Sequence, residues 1–497
     1  MFLFVSCNSN VVAAVAPANT NEIMPNCPPK LVNAFAKFNK SIKVLTFVVA
    51  ICLPIIPLLS NYGLHFFGGY TPMLDNATGV IYHPAITYAF DMLQQIFIVA
   101  VGLITFLVAF IYLSKYKKAS GQYLFLLFMG TASVTALMLT DDIFNMFVFF
   151  EILALVQVGI VIASPMDYSY EMALKYMILG SIGSPIMLLG IGFLLASTGN
   201  INISDIIVAL HNGTLSYTSP VFLMSFALIF FGWLYASGLP PFHIIKSGMY
   251  SKAEPHGAAL LQTFTVISMI SIVLIMFRIF HELPIFELLL VLFSVLAMIL
   301  GVSLALTQTD FRRMIGYLAV GELGFIGLGI GLGTQFAITA GLFQALNEII
   351  TTALLFIGFG LIAYVTKEED TRKLGGLLAY HPKVGLMLLF GGLAMAGVPP
   401  FSGFQSKLML VQASLSCGYP ELSILAVIVS IATFVVFVKT FYGMFLRPKP
   451  KGLEVPDNEV PKSAVFAMVV LLALIIILGL CPGLVTNGIY EFVGGIL

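Results

Sequence analysis

Thirteen apolar stretches, each near the roughly 20 residues that carry an α-helix across a bilayer, run the length of this sequence. They fall at 42–62, 88–114, 121–139, 142–164, 171–196, 219–245, 256–279, 284–305, 312–332, 335–364, 384–416, 421–445 and 463–485. Only structures that satisfy their backbone hydrogen bonds internally can cross lipid, and segments of this length do so as helices. The expected fold is therefore an all-α polytopic membrane protein. Composition agrees: of 497 residues 59% are hydrophobic and 9% charged, with mean hydropathy +1.03. A soluble chain carries about 25% charged residues, so this one cannot cover a water-facing surface. A soluble enzyme, a nucleic-acid binder and a disordered scaffold are excluded. Residues 1–17 are apolar but short and interrupted by Asn8, Ser9 and Asn10. They are either a fourteenth span or a surface segment, which gives 13–14 transmembrane helices. They lack the basic start of a cleaved signal peptide.

Lys plus Arg equals Asp plus Glu at 23 each, so net charge is uninformative and distribution decides. Basic residues cluster ahead of the first stretch and at its very start (Lys30, Lys37, Lys40, Lys43) and at Lys115, Lys117, Lys118, Lys246, Lys252, Arg312 and Arg313. They recur at Lys367, Arg372, Lys373, Lys383, Arg447, Lys449, Lys451 and Lys462. All these segments share one parity along the chain. Positive loops stay cytoplasmic, so the segment before residue 42 is expected inside the cell membrane and the C-terminus outside. Of the remaining four cations, Arg278 and Lys439 can snorkel or pair locally. Lys175 and Lys407 lie deeper.

An internal repeat is visible. Gly238-Leu239-Pro240-Pro241-Phe242 recurs 159 residues later as Gly397-Val398-Pro399-Pro400-Phe401. A proline pair inside a span breaks the helix, and broken helices at depth are tolerated only against protein or a wet cavity. The first pair lies in a span running inward and the second in one running outward. Matched interruptions in halves of opposite direction point to a transport site.

A charge at the centre of a span costs roughly 2.5–3.5 kcal/mol on insertion scales. Glu151, Lys175, Glu322, Glu348 and Lys407 all fall within spans, and each needs a reason. They are either static ion pairs between helices or titratable groups whose pairing switches and so passes protons. His243, after the first proline pair, is either a relay or a polar contact at a helix end. No metal-ligand spacing, dinucleotide fingerprint or cysteine cluster occurs. The five cysteines (Cys7, Cys27, Cys52, Cys417, Cys481) read as packing residues. Neither a catalytic residue nor a cofactor or metal site is expected within this chain.

These residues carry a resemblance. TDDIFNMFVFFEILAL (140–155), EMALKYMILGSIGS (171–184), ALTQTDFRRMIGYLAVGELGF (305–325) and LGGLLAYHPKVGLMLLFGGLAMAGVPPFSGFQSKLML (374–410) resemble one family. It is the antiporter-like membrane subunits shared by respiratory complex I (NADH:quinone oxidoreductase), Mrp-type sodium/proton antiporters and energy-converting membrane hydrogenases. The resemblance places Glu151 and Lys175 as an ion pair and Lys407 at the charge of the second broken helix. It implies two inverted five-helix repeats, at 121–283 and 284–445. An N-terminal segment (1–41), N-terminal helices (42–120) and a cytoplasmic loop with a C-terminal helix (446–497) flank them. It also implies half-channels joined by a polar axis at mid-membrane.

There are departures. Ala236 stands where the family usually has a lysine, Glu322 where it has a histidine, and Glu348 and Thr352 where it has a histidine and a lysine. Lys246 is either the substitute amine or a positive-inside anchor. The exchanges fit a cation-coordinating variant or a partly silenced first half, and lean toward archaeal-type hydrogenase or oxidoreductase complexes. The expected function is a proton- or sodium-translocating subunit of a membrane energy-converting complex. Its partners would be other membrane subunits and, through them, a peripheral redox module. Any enzymatic label would belong to the complex. The alternatives are an Mrp-type antiporter subunit, a stand-alone transporter of small solutes, and a structural membrane subunit without ion flux.

Overall fold

A computed structural model describes residues 29–60, 64–68, 73–74, 81–82, 86–115, 121–164, 168–211, 216–450, 460–495 and 497. Residues 1–17, and with them a fourteenth span, lie outside the described residues, as do Cys7, Cys27, Lys117, Lys118 and Lys451. The chain opens on α1 (Pro29–Leu59) and continues through β1 (Leu64–Gly68), β2 (Met73–Leu74), β3 (Ile81–Tyr82) and β4 (Ile86–Phe90). Then follow α2 (Met92–Lys115), α3 (Gly121–Leu139), α4 (Ile143–Ile162), α5 (Ser169–Thr198) and the short α6 (Ile203–His211). The first broken pair is α7 (Pro220–Ser237) and α8 (His243–Lys252). After it come α9 (Pro255–Phe280), α10 (Pro284–Thr307), α11 (Phe311–Gly331), α12 (Gln335–Thr366) and the single turn α13 (Leu377–Tyr380). The second broken pair is α14 (Pro382–Ala396) and α15 (Ser402–Ser416). The chain closes on α16 (Pro420–Phe441) with a π turn (Tyr442–Leu446), α17 (Lys462–Leu480) and α18 (Gly483–Gly494).

Every stretch read as a span coincides with helix. Among the described residues eleven helices are long and apolar enough to cross a bilayer. The other two expected spans contain shorter apolar helices, Val44–Leu59 of α1 and Pro382–Ala396 of α14. Local chemistry sets many helix starts. Pro220, Pro255, Pro284, Pro382 and Pro420 each sit at the entry of a helix, where a missing amide costs nothing. Side chains of Asp142, Asp310 and Thr334 cap α4, α11 and α12 by accepting from first-turn amides.

Two features depart from the sequence expectation. Between α1 and α2, β1 pairs antiparallel with β4, Leu64 opposite Phe90 through Gly68 opposite Ile86. Met73–Leu74 pairs with Ile81–Tyr82. Beyond the last span the chain forms α18, separated from α17 at Cys481-Pro482, instead of a single C-terminal helix.

The layering sorts helices by their surroundings. α11 is buried along its whole length, and α9 and α12 nearly so. α5, α10 and α16 form the periphery and expose Leu, Ile, Val and Phe, as lipid-facing helices do. The three described cysteines are free: Cys417 is half-buried and packs against the hydrophobic core, Cys52 is half-buried, and Cys481 is exposed. Both proline pairs break their helices: α7 ends at Ser237 and α14 at Ala396. Each first half ends on a left-handed glycine, Gly238 at φ +71° and Gly397 at φ +81°, a conformation that an L side chain would strain. The buried helices therefore meet two interrupted ones in the middle of the bundle.

Candidate functional site

The polar residues of the interior form a chain between the two breaks. At one end, in the second half of the molecule, Lys407 of α15 is buried against Glu322 of α11, with Nζ 2.7 Å from Oε1. Its ammonium also donates to the Met395 carbonyl of α14 at 2.6 Å and lies 4.5 Å from the centroid of Phe325. The second Glu322 oxygen accepts from Gln344 Nε2 of α12 at 2.6 Å, and Gln344 Oε1 accepts from Ser406 at 2.5 Å. One helical turn along α12, Asn347 accepts from Ser402 and from Thr351.

Glu348, also on α12 and fully inside, accepts from Gln262 Nε2 of α9 at 3.0 Å. Tyr250 of α8 donates to Thr265 of α9 at 2.9 Å. Thr265 leads to Lys246. That amine, 1% exposed, donates to Gln157 of α4 at 3.0 Å and to Tyr176 of α5 and Thr265 at 3.3 Å each. It also stands 4.9 Å from the Tyr176 ring centroid. No carboxylate pairs with it among the described residues. Tyr176 stacks on Tyr235 with centroids 5.6 Å apart. Glu151 of α4 in turn accepts from Ser184 of α5.

Burial of each of these groups is tolerable because each has a polar partner; a lone charge in such a place would be prohibitive. Of the residues singled out in sequence, Glu151, Lys246, Glu348, Glu322 and Lys407 lie along this chain. Lys175 does not. It lies on the outer face of α5, 54% exposed, paired with Glu171 one turn earlier, so the expected Glu151–Lys175 pair is replaced by Glu151–Ser184. The cause is helical phase. On α5 the inward stripe runs through Ala173, Tyr176, Gly183, Ser184 and Met187, and residue 175 is about 100° from Tyr176. His243 opens α8 and is buried, but its Nδ1 has no partner and it makes no hydrogen bond to the polar chain. Ala236, where the family has a lysine, is completely buried. Arg278, read as able to pair locally, holds Asp141 at 2.5 Å, and Ser204 donates to the same carboxylate.

Gln157, Tyr176, Tyr250, Gln262, Thr265 and Gln344 were not anticipated. A signal existed. Gln262, Thr265, Ser268 and Ser271 recur at three-residue steps through α9, and Gln344, Asn347, Glu348 and Thr351 sit at i, i+3, i+4 and i+7 in α12. The α12 set forms one polar face, and the α9 set winds about half-way round its helix from Gln262 to Ser271. Among the described residues no group of three or more His, Cys, Asp or Glu is arranged to hold a metal ion.

The model of the NADH:quinone oxidoreductase/Mrp antiporter transmembrane family matches residues 140–434, more than half of the chain. The chain belongs to this family. The uncharacterized protein MJ1309 of Methanocaldococcus jannaschii is 38% identical over 458 residues, covering 91% of this chain and 92% of that one. A Na(+)/H(+) antiporter subunit of Alkalihalophilus pseudofirmus is 29% identical over 393 residues, 76% of each chain. Among solved structures, a chain of the Mrp complex from Dietzia sp. DQ12-45-1b shares the fold at TM-score 0.81 and 22% identity, covering 94% of both. A chain of the membrane-bound sulfane sulfur reductase, an archaeal respiratory membrane complex, superposes at TM-score 0.77 with 25% identity, covering 93% of this chain and 92% of that one. The protein is an antiporter-like membrane subunit, homologous to those of Mrp and complex I-type assemblies.

Proposed function

We propose that this chain moves protons across the membrane as one subunit of an energy-converting complex, with the buried chain of polar groups as the route. The observation that carries the reading is a series of buried polar clusters between the two breaks: Glu151 with Ser184, Lys246 with Gln157, Tyr176 and Thr265, Glu348 with Gln262, and Glu322 with Lys407. Static glue between helices does not require buried carboxylates and amines gathered around two broken helices, each of which carries a buried lysine. In this reading Lys246 supplies the amine that Ala236 does not, and 121–283 and 284–445 act as inverted repeats. Lys175 stays outside the route unless a partner subunit covers α5. The basic loops face the cytoplasm and a peripheral redox module is reached through neighbouring membrane subunits. A second reading, exchange of sodium for protons in an Mrp-type assembly, is favoured by the likeness to the Na(+)/H(+) antiporter of Alkalihalophilus pseudofirmus and to the Mrp fold.

The test is ion pumping by the native complex in sealed everted vesicles carrying Glu348→Gln. The reading expects at least a tenfold loss of proton uptake with assembly intact. Full pumping in that variant would leave only the structural-subunit alternative. Dependence of the same uptake on external sodium would select the Mrp-type exchange.

A further inference from the structure

On the side of the bundle that carries the basic loops, most charges of the segment between α12 and α13 are paired, Lys367 excepted, which lies over the Tyr364 ring. Arg372 binds Asp370 through Nε and Nη2, Lys373 binds Glu368 at 3.0 Å, and Glu369 is held by Arg312 at 2.6 Å. Two cations beside it are not treated this way. Lys439, in the last turn of α16, and Arg447, just past the π turn, take no carboxylate partner among the described residues. Both open onto a pocket of about 170 Å³ between the ends of α10 and α16, which Gln308, Thr371, Arg372 and Thr440 also line. No carboxylate lines it.

A lysine near a helix C-terminus suits the helix dipole, and its stem can snorkel. Neither effect explains a second cation eight residues later on the same side, nor the space between the two. Thr440, Gly443 and Arg447 all line the same pocket although Arg447 lies just past the π turn. At Gly443 an added Cβ would meet nothing nearer than the Thr371 carbonyl oxygen, 4.0 Å away. Leu306 of the lining is exposed, and the neighbouring positions Val435, Val438, Tyr442 and Leu446 along α16 and its π turn are exposed apolar or aromatic side chains. An exposed tyrosine beside paired cations marks the headgroup level of a bilayer. Basic pockets between spans at that level take anionic headgroups.

We propose that the pocket between α10 and α16 binds a phosphate group, carried by the headgroup of an anionic membrane lipid and held between Lys439 and Arg447. The lipid source follows from the mouth, which opens among lipid-facing side chains. None of these residues belongs to the polar chain between the helix breaks, so the site is separable from ion movement.

The test is native mass spectrometry of the full chain in detergent, titrated with short-chain phosphatidylglycerol, phosphatidylcholine or inorganic phosphate. A cation at a membrane surface is worth roughly a fivefold gain in affinity. The double variant K439Q/R447Q should therefore weaken phosphatidylglycerol binding by about 25-fold. Gly443→Leu, which fills the pocket and leaves both charges, should weaken it several-fold as well. Equal binding by the unmodified chain and K439Q/R447Q would overturn the site. Equal affinity for phosphatidylcholine would overturn the charge recognition, and displacement by equimolar inorganic phosphate would overturn the lipid assignment. If the variants do not fold, the unmodified chain still decides. Phosphatidylglycerol but not phosphatidylcholine should slow acylation of Lys439, and equal rates would refute the proposal.

Discussion

The two helix breaks share a plan and differ in their electrostatics. In each, an apolar half-helix ends on a left-handed glycine, two prolines follow, and a second half-helix carries a buried lysine, Lys246 in α8 and Lys407 in α15. Lys407 faces a carboxylate at 2.7 Å. Lys246 faces an amide oxygen, a phenol and a hydroxyl. The ion pair holds its proton arrangement through mutual attraction, which strengthens in a medium of low dielectric. The neutral cage stabilises the ammonium through dipoles alone, so losing that proton strands no opposite charge. One break is therefore electrostatically locked and the other is able to change its charge at lower cost.

The contrast is most sharply tested at Glu322. Glu322→Gln leaves Lys407 buried without a counter-charge, and breaking a buried pair in this way costs about 3–5 kcal/mol. A loss of that size should appear as a large drop in thermal stability in detergent, together with loss of pumping. Lys246→Met should separate the two readouts. Pumping should fall at least tenfold while stability falls by about 1–3 kcal/mol, the cost of unsatisfied neutral partners and less than that of a stranded charge. If its stability loss equals that of Glu322→Gln, the proposed difference between the breaks is wrong.

Smaller effects probe what joins the halves. Gln262→Leu removes the amide that binds Glu348 and should cost about 1–3 kcal/mol, the desolvation penalty of an unsatisfied buried partner, with pumping slowed several-fold. Unchanged pumping would mean that the halves work independently. The least effect is expected at Lys175. Its pair with Glu171 is exposed, and such pairs are worth about 0–1 kcal/mol. Lys175→Ala should leave both the stability of the isolated chain and pumping within twofold. Loss of pumping there would show that Lys175 joins the route in another arrangement of the complex.

The sequence was most informative where chemistry is conspicuous against an apolar background. The proline pairs, Glu322, Glu348 and Lys407 stand out because little else in their spans is polar; the three charged groups are buried, while Pro241, Pro399 and Pro400 are exposed on the described chain. Glu151 and Lys175 show the limit. Position along a span fixes depth, but partners are chosen by direction around the helix, and one residue of offset turned Lys175 away from the interior. Lys246 was ambiguous because its place near a basic loop resembles that of an anchor; burial among Gln157, Tyr176 and Thr265 resolves its place inside the bundle. The amides and hydroxyls of α9 and α12 escaped notice because uncharged polar residues are common in membrane helices and only their periodicity distinguishes these. The paired strands between α1 and α2 gave no strong alternation, being short and interspersed with Gly and Thr.

The carbonyl of Met395, which receives the Lys407 ammonium, is free to do so for a reason four residues ahead. In an unbroken helix it would accept from the amide of residue 399, and residue 399 is a proline with no hydrogen to give. Pro399 thus acts on the charge chemistry of the site through an atom it lacks. An alanine there would bring a competing donor to the same oxygen. Backbone interruption and lysine coordination are in this way one chemical fact, written into a single imino acid.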